Sequence, residues 1–147
     1  MNIRPYAPAD FERLYAVDQA AFSPDLAYSR RELRFYLAGR RALALVAEEE
    51  GQIAGFVIAG LASRGRGHIV TLDVPPEGQG KGIGSRLLAA AEERLFNRGA
   101  RAILLETVAG EEGARGFYER HGYVVVQEIP GYYNGERDAF RMVKRAG

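Results

Sequence analysis

Thr71-Leu-Asp-Val-Pro-Pro-Glu-Gly-Gln-Gly-Lys-Gly-Ile-Gly-Ser-Arg-Leu-Leu88 is the stretch of sequence that decides the fold. An apolar run that begins at Ile69 ends at the two prolines, a turn with four glycines follows, and a helical pattern of apolar residues starts at Leu87. A strand, a glycine turn and a helix start in this order present free backbone N–H groups to a phosphate, and the helix dipole adds partial positive charge. The stretch therefore predicts a site for a pyrophosphate-bearing ligand.

The spacing of the glycines narrows the kind of ligand. A P-loop needs a glycine, four further residues and Gly-Lys-Ser/Thr, and the dinucleotide fingerprint needs G-x-G-x-x-G; the turn matches neither. The turn does contain Gln-x-x-Gly-x-Gly, at Gln79, Gly82 and Gly84. With the strand before it and the helix after it, this motif resembles the acetyl-coenzyme A motif of the GNAT N-acetyltransferases. The alternative is a plain strand-to-helix turn without a ligand.

The resemblance implies acetyl-coenzyme A (acetyl-CoA) as co-substrate and assigns residues to it. Backbone N–H groups of the turn hold the pyrophosphate, and the edge of the preceding strand pairs with the pantetheine arm. The positions expected at the coenzyme are Leu72, Asp73, Val74, Gln79, Gly80, Lys81, Gly82, Ile83, Gly84, Ser85 and Arg86. For Lys81 and Arg86, solvated charges at a helix start are an equally good interpretation. No metal is expected.

Length and composition limit the class of protein. A chain of 147 residues suits one domain over residues 1–147, and its hydrophobic content of 47% is ordinary for a globular protein. The net charge of +1 argues against nucleic acid or an anionic membrane as the main partner. The absence of cysteine excludes disulfides, thiolate metal sites and a cysteine nucleophile. Because we find neither a signal-peptide core nor an apolar run of about 20 residues, we expect a cytoplasmic protein, either a monomer or a homodimer.

The rest of the chain alternates between strand and helix patterns. Strands are predicted over residues 2–6, 42–48, 52–61, 68–74, 101–107, 123–128 and 139–144. Helices are predicted after Pro8, after a capping box of Ser29 and Glu32, from the glycine turn to about Asn97, and over 111–121. The strand, helix and strand around the glycine turn should form a right-handed parallel crossover. These elements predict an α/β (α+β) domain, a mixed and mostly antiparallel sheet flanked by about four helices, which is also the fold that the resemblance implies.

Two residues beyond the coenzyme motif extend the resemblance. Glu106 lies near the end of an apolar strand, and Tyr118 follows twelve residues later within Gly116-Phe-Tyr-Glu-Arg-His-Gly122. The arrangement resembles the ribosomal-protein N-terminal acetyltransferases of the RimI type, which implies Glu106 as general base and Tyr118 as general acid. Both kinds of group suit the chemistry, because an amine must be neutral to attack and the leaving sulfur needs a proton or a hydrogen bond. The alternatives are a solvent-facing carboxylate and a core tyrosine, and His68 is a second candidate to accept the proton.

The C-terminal part of the chain predicts a groove for the acceptor. Tyr132 and Tyr133 precede a turn at Asn134-Gly135, and this pattern resembles the tyrosine hairpin that covers the peptide backbone in protein N-terminal acetyltransferases. The resemblance makes both tyrosines substrate-binding residues, and Phe22 to Tyr28 would form the opposite wall, with Phe22 and Tyr28 at the substrate. A structural hairpin with stacked tyrosines is the alternative.

Three positions depart from the family pattern. Glu112 stands where RimI-like chains commonly carry an Asn that contacts the pantetheine arm, and Asp73 stands where a small residue is usual. Arg137 interrupts the usual Gly-Glu-Asp run. These departures bear on the acceptor more than on the coenzyme.

The pKa of the acceptor favours the α-amino group of a protein or peptide. An α-amine has a pKa of about 7.7–8.0 against about 10.4 for a lysine side chain, so much more of it is neutral at pH 7. One carboxylate base without a strongly perturbed site matches the easier amine. One alternative is a small amine, such as a polyamine, an amino acid or an antibiotic, with Asp73, Glu112, Glu136 and Asp138 as its carboxylates. The other is a non-catalytic acyl-CoA sensor.

Overall fold

A mixed sheet of seven strands carries the glycine turn in the computed structural model, which describes all 147 residues. The strands are β1 (Asn2–Pro5), β2 (Ala42–Glu49), β3 (Gln52–Ala62), β4 (Arg66–Asp73), β5 (Ala102–Val108), β6 (Val124–Tyr133) and β7 (Arg137–Arg145). The helices are α1 (Phe11–Ala21), α2 (Arg30–Ala38), α3 (Ile83–Asn97) and α4 (Glu112–Arg120). The strand order is β1-β2-β3-β4-β5-β7-β6, and only β4 and β5 are parallel neighbours. The predicted α/β class, mostly antiparallel sheet, four helices and single parallel crossover are confirmed.

Two apolar clusters cover the two faces of the sheet. Successive side chains of a strand point to opposite faces, so Leu45 and Ala47 pack with α3 while Val46 packs with α1 and α2. The larger cluster contains the buried face of α3, including Leu87, Leu88 and Leu95. The sheet is therefore fixed from both sides, and only the ends of its strands are free to form a site.

The parallel pair β4 and β5 separates after three residue pairs. Arg66, Gly67 and His68 pair with Ala102, Ile103 and Leu104, and no pairing follows. Further along, β4 remains paired with β3 up to Asp73, and β5 remains paired with β7 up to Val108. A wedge therefore opens between the carboxyl ends of the two strands, and the backbone edge of β4 that faces it has no strand partner.

The last two strands are longer than the sequence predicts. The hairpin extends over β6 and β7 with its turn at Asn134-Gly135, whereas the pattern indicated strands only over 123–128 and 139–144. The register shifts between Ile129 and Tyr133, where Gly131 has a φ of 65°. A bulge of this kind interrupts the alternation on which a strand prediction depends, so the sequence hides the end of the hairpin.

None of the four helices combines the length and the apolar character that a membrane crossing requires.

Candidate active site

The glycine turn presents a row of free backbone donors at the start of α3. The N–H groups of Gly80, Lys81, Gly82, Ile83, Gly84 and Ser85 have no backbone or side-chain acceptor. Gly80 and Gly82 both have a φ of 81°, which L-residues rarely adopt, and a Cβ at either position would meet no atom within 4 Å. The turn is therefore an open concave surface of N–H groups at a helix N-terminus, which is the arrangement that binds a pyrophosphate.

The side chains predicted at the coenzyme divide into two groups. Lys81 is exposed and makes no protein contact that would occupy its ammonium group, so it is free for a phosphate. The others are engaged: Gln79 donates from Nε2 to the Val74 carbonyl at 3.2 Å, and Arg86 donates to the Met1 carbonyl at 3.3 Å. Gln79 thus closes the turn on the strand before it, and the guanidinium of Arg86 is directed toward the N-terminus of the chain.

Helix α4 is fastened to the same turn by His121. Its Nε2 lies 2.9 Å from Ser85 Oγ and its Nδ1 lies 2.7 Å from the Phe117 carbonyl oxygen. A carbonyl only accepts, so Nδ1 carries the proton, and in the neutral ring Nε2 accepts from the serine hydroxyl. A Cβ on Gly84 would lie 3.4 Å from the Phe117 ring, so the helices approach closely there. His121 therefore helps to position α4 and with it Tyr118.

Glu106 is the centre of a hydrogen-bonded cluster in the wedge. Its side chain is only 8% exposed. Oε1 lies 2.8 Å from His68 Nε2 and accepts from the Tyr132 hydroxyl at 3.3 Å, while Oε2 accepts from Arg141 Nε at 2.9 Å. Burial opposes the charge, but the hydrogen bonds from His68 and Arg141 outweigh it and hold the pKa of Glu106 below its ordinary value. Glu106 is therefore a carboxylate at neutral pH.

The ionised carboxylate determines which nitrogen of His68 carries the proton. A carboxylate only accepts, so Nε2 is the donor, and Nδ1 of the neutral ring is left as an acceptor without a protein partner. The side chain is 39% exposed and so is accessible from the wedge. The pair Glu106–His68 can take up one proton at Nδ1, and the carboxylate then stabilises the imidazolium that results.

Tyr118 lies beside this cluster with its hydroxyl uncommitted. Its ring contacts Phe117 and Tyr123 edge-on, with centroids 5.1 and 5.7 Å away, and its hydroxyl has no protein hydrogen bond. Burial, reinforced by the charges of Asp73 and Tyr133, raises the pKa of Tyr118 above its ordinary value. The phenol therefore keeps its proton and is available as a hydrogen-bond donor.

Two walls of tyrosines enclose the space in front of Glu106. On the hairpin side, the rings of Tyr132 and Tyr133 meet edge-on at 4.9 Å, and Tyr132 is 43% exposed. On the other side, the segment between α1 and α2 carries the half-buried Phe22 and Tyr28, and Tyr28 packs on Tyr36 at 5.2 Å. Both faces are apolar with polar tips.

Asp25 joins the two walls. The Asp25 carbonyl accepts from Asn134 Nδ2 at 3.2 Å, and its carboxylate pairs with Arg137 at 3.2 Å. Arg137 also pairs with Glu111 at 3.0 Å, just before α4. The arginine that interrupts the family's sequence pattern therefore links the hairpin, the segment between α1 and α2, and the start of α4. Glu112, the other departure on this helix, is exposed in its first turn.

Comparisons with known proteins agree with this geometry. Residues 10–123 match the model of the acetyltransferase (GNAT) family. The chain belongs to the GNAT acetyltransferase family. It is 32% identical over 146 residues to an uncharacterized N-acetyltransferase of Methanocaldococcus jannaschii, which covers 99% of this chain and 92% of that protein. It is 34% identical over 120 residues to N-alpha-acetyltransferase 30 of Schizosaccharomyces pombe, covering 79% of this chain and 80% of that one.

A solved GNAT structure gives the same result for the fold. The crystal structure of the ribosomal-protein-S18-alanine N-acetyltransferase of Escherichia coli superimposes with a TM-score of 0.88 at 25% identity. The match covers 99% of this chain and 96% of that structure. The chain is therefore an acetyltransferase with the architecture of its family over its full length.

This GNAT enzyme carries a buried carboxyl pair behind its acceptor groove. Asp18 in α1 and Asp73 at the end of β4 are both fully buried, and Asp18 Oδ1 and Asp73 Oδ2 have no donor. The remaining oxygens are satisfied: Tyr28 N–H donates to Asp18 Oδ2 at 2.7 Å, and the Thr71 hydroxyl donates to Asp73 Oδ1. Burial first, and the neighbouring Asp18 second, raise the pKa of Asp73 well above its ordinary value. One shared proton between the two open oxygens satisfies both carboxyls.

Asp73 contributes its backbone and its side chain to different parts of the structure. Its backbone lies at the edge of the wedge. Its side chain points away from α3, to the face of the sheet that α1 and α2 cover. There it links the strand beside the coenzyme turn to the segment that carries Tyr28. An amide at this position donates an N–H to Asp18 without needing a proton from solution.

We expect Asp73→Asn to stabilise the protein at pH 8. In the parent, folding takes up a proton between the ordinary aspartate pKa and the raised native pKa, so stability falls as pH rises through that window. The amide removes this penalty. Urea unfolding at pH 8 should show a free energy of unfolding about 1 kcal/mol higher than that of the parent, and this difference should shrink toward pH 4.

Asp10→Asn is the control with the opposite sign. Its hydrogen bond from Arg4 lowers the pKa of Asp10, so the amide should destabilise at pH 7 and this loss should disappear as the pH falls through the lowered pKa. If Asp73→Asn destabilises at pH 8 by as much as Asp10→Asn does at pH 7, the pair does not share a proton.

Proposed function

We propose that this enzyme transfers the acetyl group of acetyl-CoA to the α-amino group of a protein or peptide N-terminus, in a ternary complex of the enzyme with both substrates. The observation that carries the proposal is the tyrosine-walled groove, joined through Asp25, that ends at the Glu106–His68 pair. Relatives named as an N-alpha-acetyltransferase and a ribosomal-protein-alanine N-acetyltransferase support the same acceptor. A cytoplasmic location is part of this proposal, because acetyl-CoA and new protein N-termini occur there together.

The residues that would hold the co-substrate surround the wedge. The six free N–H groups of Gly80 to Ser85 fit a pyrophosphate, with Lys81 as an additional cation. The unpaired edge of β4 from Val70 to Asp73 offers backbone groups to a pantetheine arm, as a neighbouring strand would. When bound there, acetyl-CoA supplies an acyl carbon activated by its bond to sulfur.

The geometry of the Glu106 cluster indicates which group takes the proton of the acceptor amine. The amine nitrogen forms its bond to the acyl carbon as the carbon–sulfur bond breaks, and one proton must leave the nitrogen. His68 Nδ1 accepts this proton directly or through a water, while Glu106 holds the ring by the 2.8 Å bond at Nε2. Tyr118 donates a hydrogen bond to the departing sulfur. Because its pKa is raised, Tyr118 stabilises the thiolate without giving up its proton, and the thiolate is protonated from solvent.

Of the four carboxylates considered for a small cationic acceptor, two are already engaged within the protein. Asp73 is fully buried beside Asp18, and Asp138 accepts from the Gly131 N–H at 2.8 Å in the bulge of the hairpin. Glu112 and Glu136 are exposed and face solvent. A polyamine needs several desolvated anions, whereas a peptide backbone needs the tyrosine walls that are present. The contacts of the groove therefore favour a peptide.

Two matched peptide sets test the acceptor. One set has free N-termini and no lysine, and the other has acetylated N-termini and free lysines; coenzyme A release is measured with acetyl-CoA at pH 7.5. We expect turnover on the first set only, because roughly a tenth or more of an α-amine is neutral near pH 7 against less than a thousandth of a lysine. Turnover on lysine peptides alone contradicts the proposal. Turnover on neither set, with spermidine or amino acids accepted, assigns the enzyme to small amines.

A further inference from the structure

A cluster of arginines occupies the end of the sheet opposite the active site. Its members are Arg40, Arg41, Arg64, Arg66, Arg98, Arg101 and Arg145. All seven are exposed, and none of their side chains takes part in a salt bridge or a hydrogen bond. We call this surface the arginine end.

The register of the strands brings these residues together. At this end Ala62 pairs with Arg66, Arg66 pairs with Ala102, and Ala102 pairs with Arg145, so neighbouring strands place them side by side. The connecting loops are tied as well: Arg101 N–H donates to the Gly65 carbonyl at 2.7 Å, and the Arg101 carbonyl accepts from Ala146 N–H at 2.8 Å. The arginines therefore stand on rigid strand ends and short loops.

A concave surface lies within the arginine end. A pocket of about 480 Å³ is lined by Arg40, Arg41, Arg98 and Arg101 together with Leu61, Ala62, Gly65 and Gly99. Two of the lining residues, Gly65 and Gly99, have no side chain. The Arg101 side chain lies against Gly65, where an added Cβ would be 3.4 Å from the Arg101 Cγ. Four guanidinium groups around one hollow repel each other unless an anion is present.

Acidic and aromatic residues are both missing from the segments that build this end. Residues 39–42, 60–67, 97–102 and 144–147 contain no Asp, Glu, Phe, Tyr or Trp. The net charge of +1 for the whole chain conceals this local concentration, because the acidic residues lie elsewhere. Without aromatic side chains, the surface offers no platform on which unpaired bases stack.

We propose that the arginine end binds the phosphate backbone of a nucleic-acid duplex without reading its sequence. Seven arginines and no unpaired lysine suit this ligand, since a guanidinium binds a phosphate through two parallel N–H bonds. A membrane surface fits less well, because none of the exposed large hydrophobic residues, Met1, Phe35, Val124, Val126 and Tyr132, belongs to the four segments that build this end. The coenzyme turn follows the other end of β4, about 23 Å from Arg66, so this ligand would not occupy the acetyl-CoA site.

Fluorescence anisotropy with labelled duplexes of about 16 base pairs tests the proposal, with RNA and DNA in parallel. The full chain is saturated with acetyl-CoA, so that the phosphate turn is not available to the probe. Arg41→Glu/Arg98→Glu alters the arginine end. Arg31→Glu/Arg120→Glu is the matched control, since it changes the total charge equally at two exposed, unpaired arginines of α2 and α4. Far-UV circular dichroism and cooperative unfolding in urea show that both variants are folded.

We expect the parent to bind with an affinity that falls linearly with salt on logarithmic axes between about 50 and about 200 mM. The Arg41→Glu/Arg98→Glu variant should bind about tenfold more weakly or worse, with a salt slope smaller by about two. The control should stay within about threefold of the parent, because neither of its two arginines belongs to the four segments that build the arginine end. Binding of either duplex in this pattern supports the proposal, and the ratio of the two affinities measures any readout of the 2′-hydroxyl.

Three results overturn the proposal. One is an equal loss in both variants, because binding would then follow total charge and not the arginine end. Another is the absence of duplex binding by the parent at about 50 mM salt. The third is binding to phosphatidylserine vesicles but to neither duplex, which would assign the surface to membranes. None of these results depends on which amine the enzyme acetylates.

Discussion

Glu106→Gln is expected to lower kcat/KM for a peptide acceptor by about 10²–10⁴-fold while acetyl-CoA binding stays unchanged. The carboxylate holds His68 at 2.8 Å and neutralises the positive charge that forms when Nδ1 takes the proton. An amide keeps the size of the side chain but supplies no charge, and it removes the anionic partner of Arg141. The measurements are steady-state kinetics at saturating acetyl-CoA and the dissociation constant of acetyl-CoA by calorimetry.

Two further variants distinguish the role of His68 as proton acceptor from that of Arg141 as a partner of Glu106. His68→Asn removes the proposed acceptor nitrogen, and if Glu106 and His68 act as one unit the double variant should lose little more than either single one. Arg141→Gln removes a partner that lowers the pKa of Glu106 but leaves the carboxylate, so its kcat/KM should fall by about tenfold at most. A Glu106→Gln variant within about threefold of the parent contradicts any role of the pair in proton transfer.

The local features of the fold were predictable because each depends on residues close together in sequence. The capping box of Ser29 and Glu32 starts α2 as expected, since both hydrogen bonds run over three residues. The glycine turn and the start of α3 likewise need only the spacing of glycines and apolar positions between Gly78 and Leu88. The strand–helix–strand crossover then follows from chain connectivity.

The contacts that complete the site were not predictable because they join distant parts of the chain. Arg141 reaches Glu106 only because β7 pairs with β5 in the register that sets these two residues opposite each other. The pairing of Arg137 with Asp25 spans 112 positions of sequence. The wedge depends on where β4 and β5 stop pairing, which no periodicity records. The sequence does not give the register between β5 and β7, because α4 and β6 separate these two strands along the chain.

Tyr118 and Tyr123 offer a direct separation of catalysis from stability. The ring of Tyr123 is fully buried and that of Tyr118 is partly buried, and the two meet edge-on, but their hydroxyls differ. The Tyr123 hydroxyl donates to Glu92 at 2.7 Å, whereas that of Tyr118 has no protein partner. A hydroxyl without a protein partner in the folded enzyme is explained if its partner is the sulfur of the bound co-substrate.

Tyr118→Phe is therefore expected to reduce kcat by about 10²-fold and to leave the free energy of unfolding within about 0.5 kcal/mol of the parent. Tyr123→Phe, the matched control, should show the reverse: a loss of about 1–3 kcal/mol, because Glu92 loses a buried donor, with kcat within about threefold of the parent. Urea unfolding and steady-state kinetics on the same preparations give both quantities. The assignment of Tyr118 to the leaving sulfur is wrong if its variant keeps full kcat, or if it is destabilised as much as Tyr123→Phe and its kcat falls no further than that of the control.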